Sequence, residues 1–128
     1  MTIKFNNVYI KSVSAVAGKD EKEGTFGKLY DKTYNDYYAE EKTFEQAEIK
    51  MIKDASDIAL KKANYKMDDI NFIIGADLLN QITANAYSSV KFKRPFLGVY
   101  NACASLCEEF IIASSILQNK DVNNALLN

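Results

Sequence analysis

Residues 99–110 read VYNACASLCEEF, and the character of the chain changes within this stretch. Its start continues an apolar, strand-like run, whereas its end opens a series of apolar residues at helical spacing. A cysteine at such a junction, here Cys103, is where many enzymes hold a nucleophile. The residues alone leave three interpretations open: a nucleophile, a contact to a bound ligand, or a buried small hydrophobic side chain.

Apolar runs and helical runs alternate on both sides of this junction. Strands are predicted for INFIIGAD (70–77), KRPFLGVYN (93–101) and NNALLN (123–128), with residues 96–100 inside the sheet. LLNQITANAYSSVKF (78–92) predicts a loop and a short helix, and another helix is predicted from about Ala104 to Asn119. This order predicts an α/β fold, with a mostly parallel sheet, right-handed crossovers and flanking helices.

The first half of the chain predicts a hairpin, a long loop and a long helix. TIKF (2–5) and VYIKSVSAV (8–16) are strand-like, and Asn6-Asn7 between them suits a tight turn. Residues 17–42 predict an ordered loop, whose tyrosine-rich part LYDKTYNDYY (29–38) is either a docking surface or internal packing. A helix is predicted from Thr43, which has capping-box spacing to Gln46, to about Asn64. Its predicted buried face contains Phe44, Ala47, Met51, Ala55, Ile58 and Ala59.

Composition predicts one domain over residues 1–128 and excludes several classes of function. The net charge is −1, from 16 basic and 17 acidic residues, so we expect no nucleic-acid partner. No apolar run approaches the roughly 18–20 residues of a membrane span, and the start of the chain lacks the apolar core of a signal peptide. Two cysteines without a secretory signal predict free thiols in a reducing compartment.

The sequence contains no histidine, which limits the chemistry of Cys103. Neither a Ser-His-Asp triad nor a Cys-His pair can be assembled from this chain, and we expect no bound metal and no cofactor. Cys107 lies one helical turn after Cys103, where a disulfide within a regular helix is geometrically poor. We therefore predict that Cys107 is a core side chain.

Two polar residues follow the predicted strand 70–77 closely. Asp77 and Asn80 lie where open α/β sheets bind ligands, beyond the carboxyl end of a strand. They are candidate ligand contacts. A capping role for Asn80 or Thr83 on the next helix is an equal alternative.

The helix predicted near residues 104–119 carries apolar residues on most of its circumference: Leu106, Cys107, Phe110, Ile111, Ile112, Ala113, Ile116 and Leu117. A helix of this kind needs cover on every side. We expect that Phe110, Ile112 and Ile116 lack cover within this chain and that the protein forms a homo-oligomer. The last residues, 125–127, look like the first half of a core strand, so the chain reads as cut short.

Three runs resemble one known family. They are KEGTFGKLYDKTYNDYY (22–38), GADLLNQITANAY (75–87) and RPFLGVYNACAS (94–105), and EGTFGKLYDKTY and DLLNQITAN within them are long and specific. In order and spacing they resemble the stage V sporulation protein AD family of spore-forming bacteria. The resemblance implies the thiolase fold, of which this chain would be an incomplete N-terminal half, about the first third of a family member.

The resemblance also implies a function without catalysis. Family members bind dipicolinic acid and act with other proteins of the same operon, some of them membrane proteins, to move its calcium chelate into the forespore. By this resemblance Cys103 occupies the position of the thiolase nucleophile and lines the ligand pocket. An aspartate and a histidine of that pocket would lie beyond residue 128. The family usually has Ala-Cys-Ser-Thr where this chain has Ala102-Cys103-Ala104-Ser105, so one hydroxyl is absent.

These observations leave one favoured function and two alternatives. The favoured function is dipicolinic acid binding, free or as the calcium chelate, in the forespore or spore, peripheral to the inner spore membrane. One alternative is a fragment of an acyl-transfer enzyme, thiolase-like or ketoacyl-synthase-like, that uses Cys103. The other is a fragment that binds no ligand and only self-associates.

Overall fold

The computed structural model describes residues 2–79 and 81–128. The chain divides into two compact units. We call Ser12–Tyr65 the motif unit, and Met1–Lys11 together with Lys66–Asn128 the sheet unit. Both are built from short parallel strands and helices, so the predicted mixed α/β class with parallel sheets and flanking helices is confirmed.

The motif unit contains two very short strands and one long helix. Its elements are β1 (Val16–Ala17), α1 (Lys19–Glu23), a 3-10 turn (Gly27–Leu29), β2 (Lys32–Thr33) and α2 (Phe44–Ala63). Strand β1 pairs with β2 in parallel, with Val16 opposite Lys32. The predicted loop 17–42 therefore contains a helix, a 3-10 turn and a strand of its own.

The predicted N-terminal hairpin is wrong. Among residues 2–15 no strand forms, although Asn7 has the left-handed φ of 58° that a tight turn favours. In the motif unit the backbone from Ser12 runs along α2 instead. The Ser12 and Ser14 hydroxyls donate to the carbonyls of Ala59 and Ala55 at 2.8 and 2.6 Å. These bonds to a helix replace the partner strand that the alternating pattern predicted.

Helix α2 begins and ends where the sequence predicted. The Thr43 hydroxyl accepts a hydrogen bond from the Gln46 N–H at 3.3 Å, and Asn64 ends the helix in the left-handed conformation. Ala47 is buried on the predicted face. Phe44 is an exception, because it is exposed and stacks on Tyr38 with ring centroids 4.5 Å apart.

The sheet unit contains a three-stranded parallel sheet. Its strands are β3 (Phe72–Gly75), β4 (Phe96–Gly98) and β5 (Ala125–Leu127), in the order β4-β3-β5. Its helices are α3 (Thr83–Phe92) and α4 (Ser105–Ile116), with 3-10 turns at Met67–Asp69 and Ala102–Ala104. The predicted interior position of residues 96–100 is wrong: β3 is the central strand, β4 lies at an edge and Leu97 is exposed.

Helices α3 and α4 pack on opposite faces of this sheet. In the order β4-β3-β5, the chain steps from β3 to one neighbour and then crosses back to the other. Two right-handed crossovers of this kind would place their helices on opposite sides of the sheet. The contacts agree with this rule. Ile74 packs with Ala113 of α4, whereas a Cβ at Gly75 would overlap the Asn85 side chain of α3. Glycine at position 75 is therefore required for α3 to approach the sheet closely.

Candidate functional site

Cys103 lies in the turn that joins β4 to α4. The strand ends at Gly98, a 3-10 turn covers Ala102–Ala104, and α4 begins at Ser105. The prediction that Cys103 lies within two residues of a helix start is confirmed. The Cys103 side chain is exposed, so the interpretation as a buried hydrophobic side chain is wrong.

The turn around Cys103 is held by short-range hydrogen bonds. The Asn101 N–H donates to the Ser105 hydroxyl at 3.0 Å, and the Ala104 N–H donates to the Asn101 carbonyl at 2.9 Å. Ala102 has a left-handed φ of 45°, which costs a residue with a Cβ roughly 1–2 kcal/mol. The surrounding bonds hold this strained residue directly before the cysteine, and strain of this kind is concentrated at functional sites.

No side chain caps the first turn of α4, because the N-cap residue is Ala104, whose side chain cannot accept a hydrogen bond. The N–H groups of a first helical turn lack partners within the helix and carry the positive end of its dipole. At this junction the Ala104 and Ser105 N–H groups already donate to the carbonyls of Asn101 and Ala102, so an anionic group beside Cys103 would be favoured by the helix dipole rather than by free donors. Glu108 in the same turn opposes such binding with its own negative charge.

Glu109 faces the interior of the sheet unit and is only 3% exposed. Burial raises its pKa from 4.5 to about 7, and the neighbouring Glu108 carboxylate adds to the increase. At neutral pH Glu109 is therefore close to half protonated. This pKa suits a general base, but the Glu109 side chain is buried while that of Cys103 is exposed.

Cys107 is exposed, so its predicted place in the core is wrong. The reason is the direction in which α4 is turned. Ser105, Glu109 and Ala113 are buried, and Cys107 lies on the other side of the helix. Across residues 2–79 and 81–128, no group of three or more acidic, cysteine or histidine side chains is arranged to hold a metal ion.

Asp77 lies beyond the carboxyl end of β3, at the same end of the sheet as the turn with Cys103. Its carboxylate accepts hydrogen bonds from the Ala84 N–H at 3.0 Å, the Asn85 N–H at 3.4 Å and the Asn85 side-chain amide at 2.5 Å. Asp77 therefore caps the start of α3 from outside the helix. The Asp77 carboxylate thus already accepts three hydrogen bonds. Its role as a ligand contact stays a prediction.

Asp77 caps the start of α3, whereas the sequence offered Asn80 or Thr83 for this role. Thr83 is the first residue of α3, and Ile82 occupies the N-cap position without a side-chain bond. Ile82 has a left-handed φ of 53°, an unfavourable conformation for a β-branched residue. Asn80 lies outside the described residues, and its role as a ligand contact stays a prediction.

An apolar groove lies at the opposite end of the same sheet. It has a volume of about 310 Å³ and is lined by Phe72, Pro95, Phe96, Ile116 and Val122 among others. Phe72 and Phe96 begin their strands, whereas Cys103 follows the end of β4. Few polar atoms line this groove, so it lacks the convergent polar groups that orient a charged ligand.

The sequence run DKTY (31–34) forms a bonded cluster within the motif unit. The Lys32 ammonium donates to Asp54 Oδ2 at 2.5 Å, and the Tyr34 hydroxyl donates to the same oxygen. The Lys62 ammonium pairs with Asp31 at 2.6 Å. Both lysines and both carboxylates join residues 31–34 to α2, so these side chains stabilise the fold of the unit.

This Tyr34–Asp54 cluster is electrostatically coupled. Burial raises the pKa of the Tyr34 hydroxyl well above its ordinary value, and the Asp54 carboxylate raises it further. Burial also raises the pKa of Asp54, but hydrogen bonds from Lys32 and Tyr34 outweigh it and lower that pKa overall. The ammonium groups of Lys32 and Lys50 lie 4.9 and 5.2 Å from the centre of the Tyr34 ring.

Sequence reasoning missed this cluster, although the signal was present. Asp54 lies among Met51, Ala55 and Ile58 on the predicted buried face of α2. An acidic residue in such a position needs a partner, because an unpaired buried charge is costly. For the tyrosine-rich run 29–38, internal packing holds at Tyr34, which is buried, whereas Tyr37 and Tyr38 are exposed.

Comparison with known proteins identifies the family. The model of the family "Stage V sporulation protein AD (SpoVAD)" matches residues 1–128. The chain belongs to the Stage V sporulation protein AD family. The protein of that name from Bacillus subtilis (strain 168) is 38% identical over 120 residues, which are 93% of this chain and 35% of that protein. The chain thus spans about a third of the length of this relative.

Membership in the Stage V sporulation protein AD family confirms the resemblance drawn from the three sequence runs. It makes the chain a member of a sporulation family, and the relative is named as a sporulation protein, not as an enzyme. In the described part of the chain, no helix has the length and apolar character needed to span a membrane.

Proposed function

We propose that this chain contributes the cysteine-bearing part of a dipicolinic acid site, in a protein that takes part in dipicolinic acid uptake into the forespore. The observation that supports the proposal most is the exposed Cys103 at the uncapped start of α4. Membership in a sporulation family supplies the biological setting. The thiolase-like arrangement of the whole family member is part of the same proposal.

The charges around Cys103 favour the calcium chelate over the free dianion. The positive end of the α4 dipole attracts a carboxylate. Glu108 repels a ligand with two negative charges. A one-to-one chelate with Ca²⁺ has no net charge, so this repulsion is largely removed. We therefore propose that the chelate binds more tightly than dipicolinate alone.

The partners we propose are the other proteins of the same sporulation operon, including membrane proteins. The site of action we propose is the forespore or spore, at the surface of the inner spore membrane. A delivery role at a membrane-bound partner fits a chain whose described helices include none that spans a bilayer.

We propose that the protein is not an enzyme. The chain contains no histidine to take a proton from Cys103. Glu109, whose pKa of about 7 suits a base, is buried while the Cys103 thiol is exposed. The acyl-transfer alternative predicts that an acyl-coenzyme A donor acylates Cys103 and is turned over. Turnover that disappears in Cys103→Ala would overturn the non-catalytic proposal.

Thiol labelling tests ligand binding, because the chain provides its own control. Both cysteines are exposed, so each reacts when it is the sole thiol. In Cys107→Ser the labelling of Cys103 should slow when calcium dipicolinate is added. In Cys103→Ser the labelling of Cys107, one helical turn away, should slow much less.

The ligand controls separate specific binding from general effects. Isophthalate has both carboxylates but lacks the ring nitrogen, and it should protect Cys103 less than dipicolinate does. Equal protection by isophthalate, or equal protection of both cysteines, would contradict a dipicolinate site at Cys103. Absence of protection at millimolar ligand would contradict the proposal for this chain.

A further inference from the structure

Three exposed aromatic side chains of the motif unit lie in an acidic stretch of the chain. Tyr37, Tyr38 and Phe44 are exposed by 58%, 42% and 62% of their surface. The Tyr38 and Phe44 rings stack with centroids 4.5 Å apart, so these two rings form one surface. Residues 36–48 contain five acidic side chains and one basic one, in a chain whose net charge is only −1. We call the three aromatic residues and the exposed acids beside them the aromatic-acidic patch: Tyr37, Tyr38, Glu41, Phe44 and Glu45.

Hydrogen bonds hold the loop that carries the two tyrosines. The Asp36 carboxylate accepts hydrogen bonds from the N–H groups of Tyr38 and Glu40 at 2.8 and 3.2 Å. The Lys50 ammonium donates to the Ala39 carbonyl and to Glu40 Oε2, both at 2.8 Å. Ala39 is buried in the core of the unit. The rings are therefore presented by an ordered loop, and a partner does not have to order this loop when it binds.

One ring of the patch already contacts a cation. The Lys19 ammonium lies 5.2 Å from the centre of the Tyr37 ring, within the range of a cation–π contact. An aromatic face with carboxylates beside it attracts a cation in two ways, through the ring quadrupole and through opposite charge. A guanidinium suits this combination better than an ammonium does. It is planar, stacks on aromatic rings and binds a carboxylate with two N–H groups.

Helix α3 shows that an exposed ring alone does not make such a surface. Tyr87 is 64% exposed, which is as much as Phe44. Residues 83–94 around it contain three basic side chains and no acidic one. These charges repel a cation that approaches Tyr87, whereas the acids near Phe44 attract one. Single exposed aromatic residues are common on protein surfaces, so it is the neighbouring charge that distinguishes the two positions.

We propose that the aromatic-acidic patch binds an arginine-rich segment of another protein. Its guanidinium groups stack on the Tyr38–Phe44 pair and form ion pairs with Glu41 and Glu45. Nucleic acids and anionic lipid surfaces carry charge of the same sign as the patch, which disfavours both as partners. The proposal does not depend on dipicolinic acid binding, because Cys103 belongs to the sheet unit and the patch to the motif unit.

A second copy of this chain is a poorer partner for the patch. Two patches that face each other across a two-fold axis would bring their carboxylates together. The sequence contains a single arginine, Arg94. Its guanidinium already donates to the Met67 carbonyl at 3.0 Å and pairs with Asp68, so these bonds would have to break before it could stack on the patch. The homo-oligomer expected from helix α4 is a separate matter and stays a prediction.

Fluorescence anisotropy of the full chain with labelled peptides tests the proposal. The probe is a short peptide of alternating arginine and glycine, compared with lysine-glycine and glutamate-glycine peptides of the same length. The arginine peptide should bind most tightly. The lysine peptide should bind about 3-fold more weakly, because an ammonium neither stacks on a ring nor binds two carboxylate oxygens. The glutamate peptide should not bind, and added salt should weaken the binding of both basic peptides.

Matched variants locate the binding on the chain. Phe44→Ala should weaken binding of the arginine peptide about 2- to 5-fold, because it removes one ring of the stacked pair. Tyr87→Ala removes an equally exposed ring from α3 and should leave binding unchanged. Glu41→Gln should weaken binding about 2-fold and reduce its salt dependence, whereas Asp121→Asn, at an exposed acid of the sheet unit, should do neither. Circular dichroism establishes that each variant is folded.

Four results would overturn the proposal. One is an arginine peptide that does not bind wild type at millimolar concentration. Another is equal weakening by Phe44→Ala and Tyr87→Ala, or by Glu41→Gln and Asp121→Asn. The third is self-association in sedimentation equilibrium that Phe44→Ala abolishes, which would assign the patch to a second copy. The fourth is displacement of the arginine peptide by the part of the Bacillus subtilis relative outside the matched region, which would assign the patch to a segment of the longer protein.

Discussion

Helices α2 and α4 are both rich in apolar residues, but they use them in opposite ways. Helix α2 is capped at both ends, buries Ala47 and Leu60, and satisfies its inward acid Asp54 with a lysine and a tyrosine. Helix α4 has no side-chain cap, buries Glu109 and leaves Phe110 exposed. The difference teaches that α2 is completed by its own unit, whereas α4 turns an acid inward and leaves large apolar side chains exposed.

The largest expected effect concerns the inward acid of α2. Asp54→Ala should destabilise the protein by about 3 kcal/mol, because it leaves the buried Tyr34 hydroxyl without its acceptor and Lys32 without its counter-ion. Urea unfolding at pH 7 measures the change. Asp57→Ala, one turn away on the same helix, removes only an exposed ion pair with Lys53 and should cost less than about 0.5 kcal/mol. Equal losses in the two variants would contradict the role of the cluster.

The inward acid of α4 should behave in the opposite way. Glu109→Gln should stabilise the protein by about 2 kcal/mol at pH 8, because burial disfavours the charged carboxylate. Because the pKa of Glu109 is higher in the folded state, proton binding by Glu109 stabilises the folded protein, and this stabilisation is complete below pH 4.5. It is lost as the pH rises to about 7.

The measurement is urea unfolding of wild type and Glu109→Gln from pH 5 to pH 8. Wild type should lose stability relative to the variant across this range, and the gap should be smallest at pH 5. Glu108→Gln is the comparison at the adjacent position: because the Glu108 carboxylate adds to the increase in the Glu109 pKa, this variant should reduce the pH-dependent loss in part and not abolish it. A gap between Glu109→Gln and wild type that does not change with pH would show that the effect is unrelated to ionisation.

A smaller effect is expected at the start of α3. Asp77→Ala removes three hydrogen bonds at the start of this helix and should cost about 1.5 kcal/mol. Asp77→Asn keeps an acceptor oxygen and should cost less. If Asp77 also contacts dipicolinate, both variants should weaken the protection of Cys103, whereas a purely structural Asp77 predicts unchanged protection in the folded Asp77→Asn variant.

The smallest effect tests the caps of α2. Thr43→Ala loses the hydrogen bond from the Gln46 N–H and should cost about 1 kcal/mol. Asn64→Gly relieves the left-handed φ of 59° and should be neutral or slightly stabilising. Thermal unfolding followed by circular dichroism measures both. A larger loss in Asn64→Gly than in Thr43→Ala would contradict this assignment of the caps.

Much of the fold was predictable because it depends on short-range patterns. Helix α2 was predicted from Thr43 to Asn64, and the strands β3, β4 and β5 lie inside the predicted runs. The helix start beside Cys103 was also predicted, since a change from strand-like to helical periodicity marks it. The N-terminal hairpin was wrong because Ser12 and Ser14 bond to α2, a long-range contact that alternation cannot reveal.

The candidate site was predictable in position and less so in detail. The sequence placed Cys103 at a helix start and Asp77 beyond the carboxyl end of a strand, as the structure does. It did not indicate that the Asp77 carboxylate is occupied by α3 or that Cys107 is exposed. Both depend on how each helix is rotated about its axis, and an all-round apolar helix contains no signal for that rotation.

Residue order alone decided the family, the mixed α/β class and the ends of the long helix, because motifs, periodicity and caps are local properties of the chain. Tertiary structure alone decided which strand is central, which side of α4 faces outward and which partner Asp54 receives. These features depend on contacts between residues far apart in sequence. The free energy of such contacts comes from burial and pairing in the folded chain, and no local pattern encodes it.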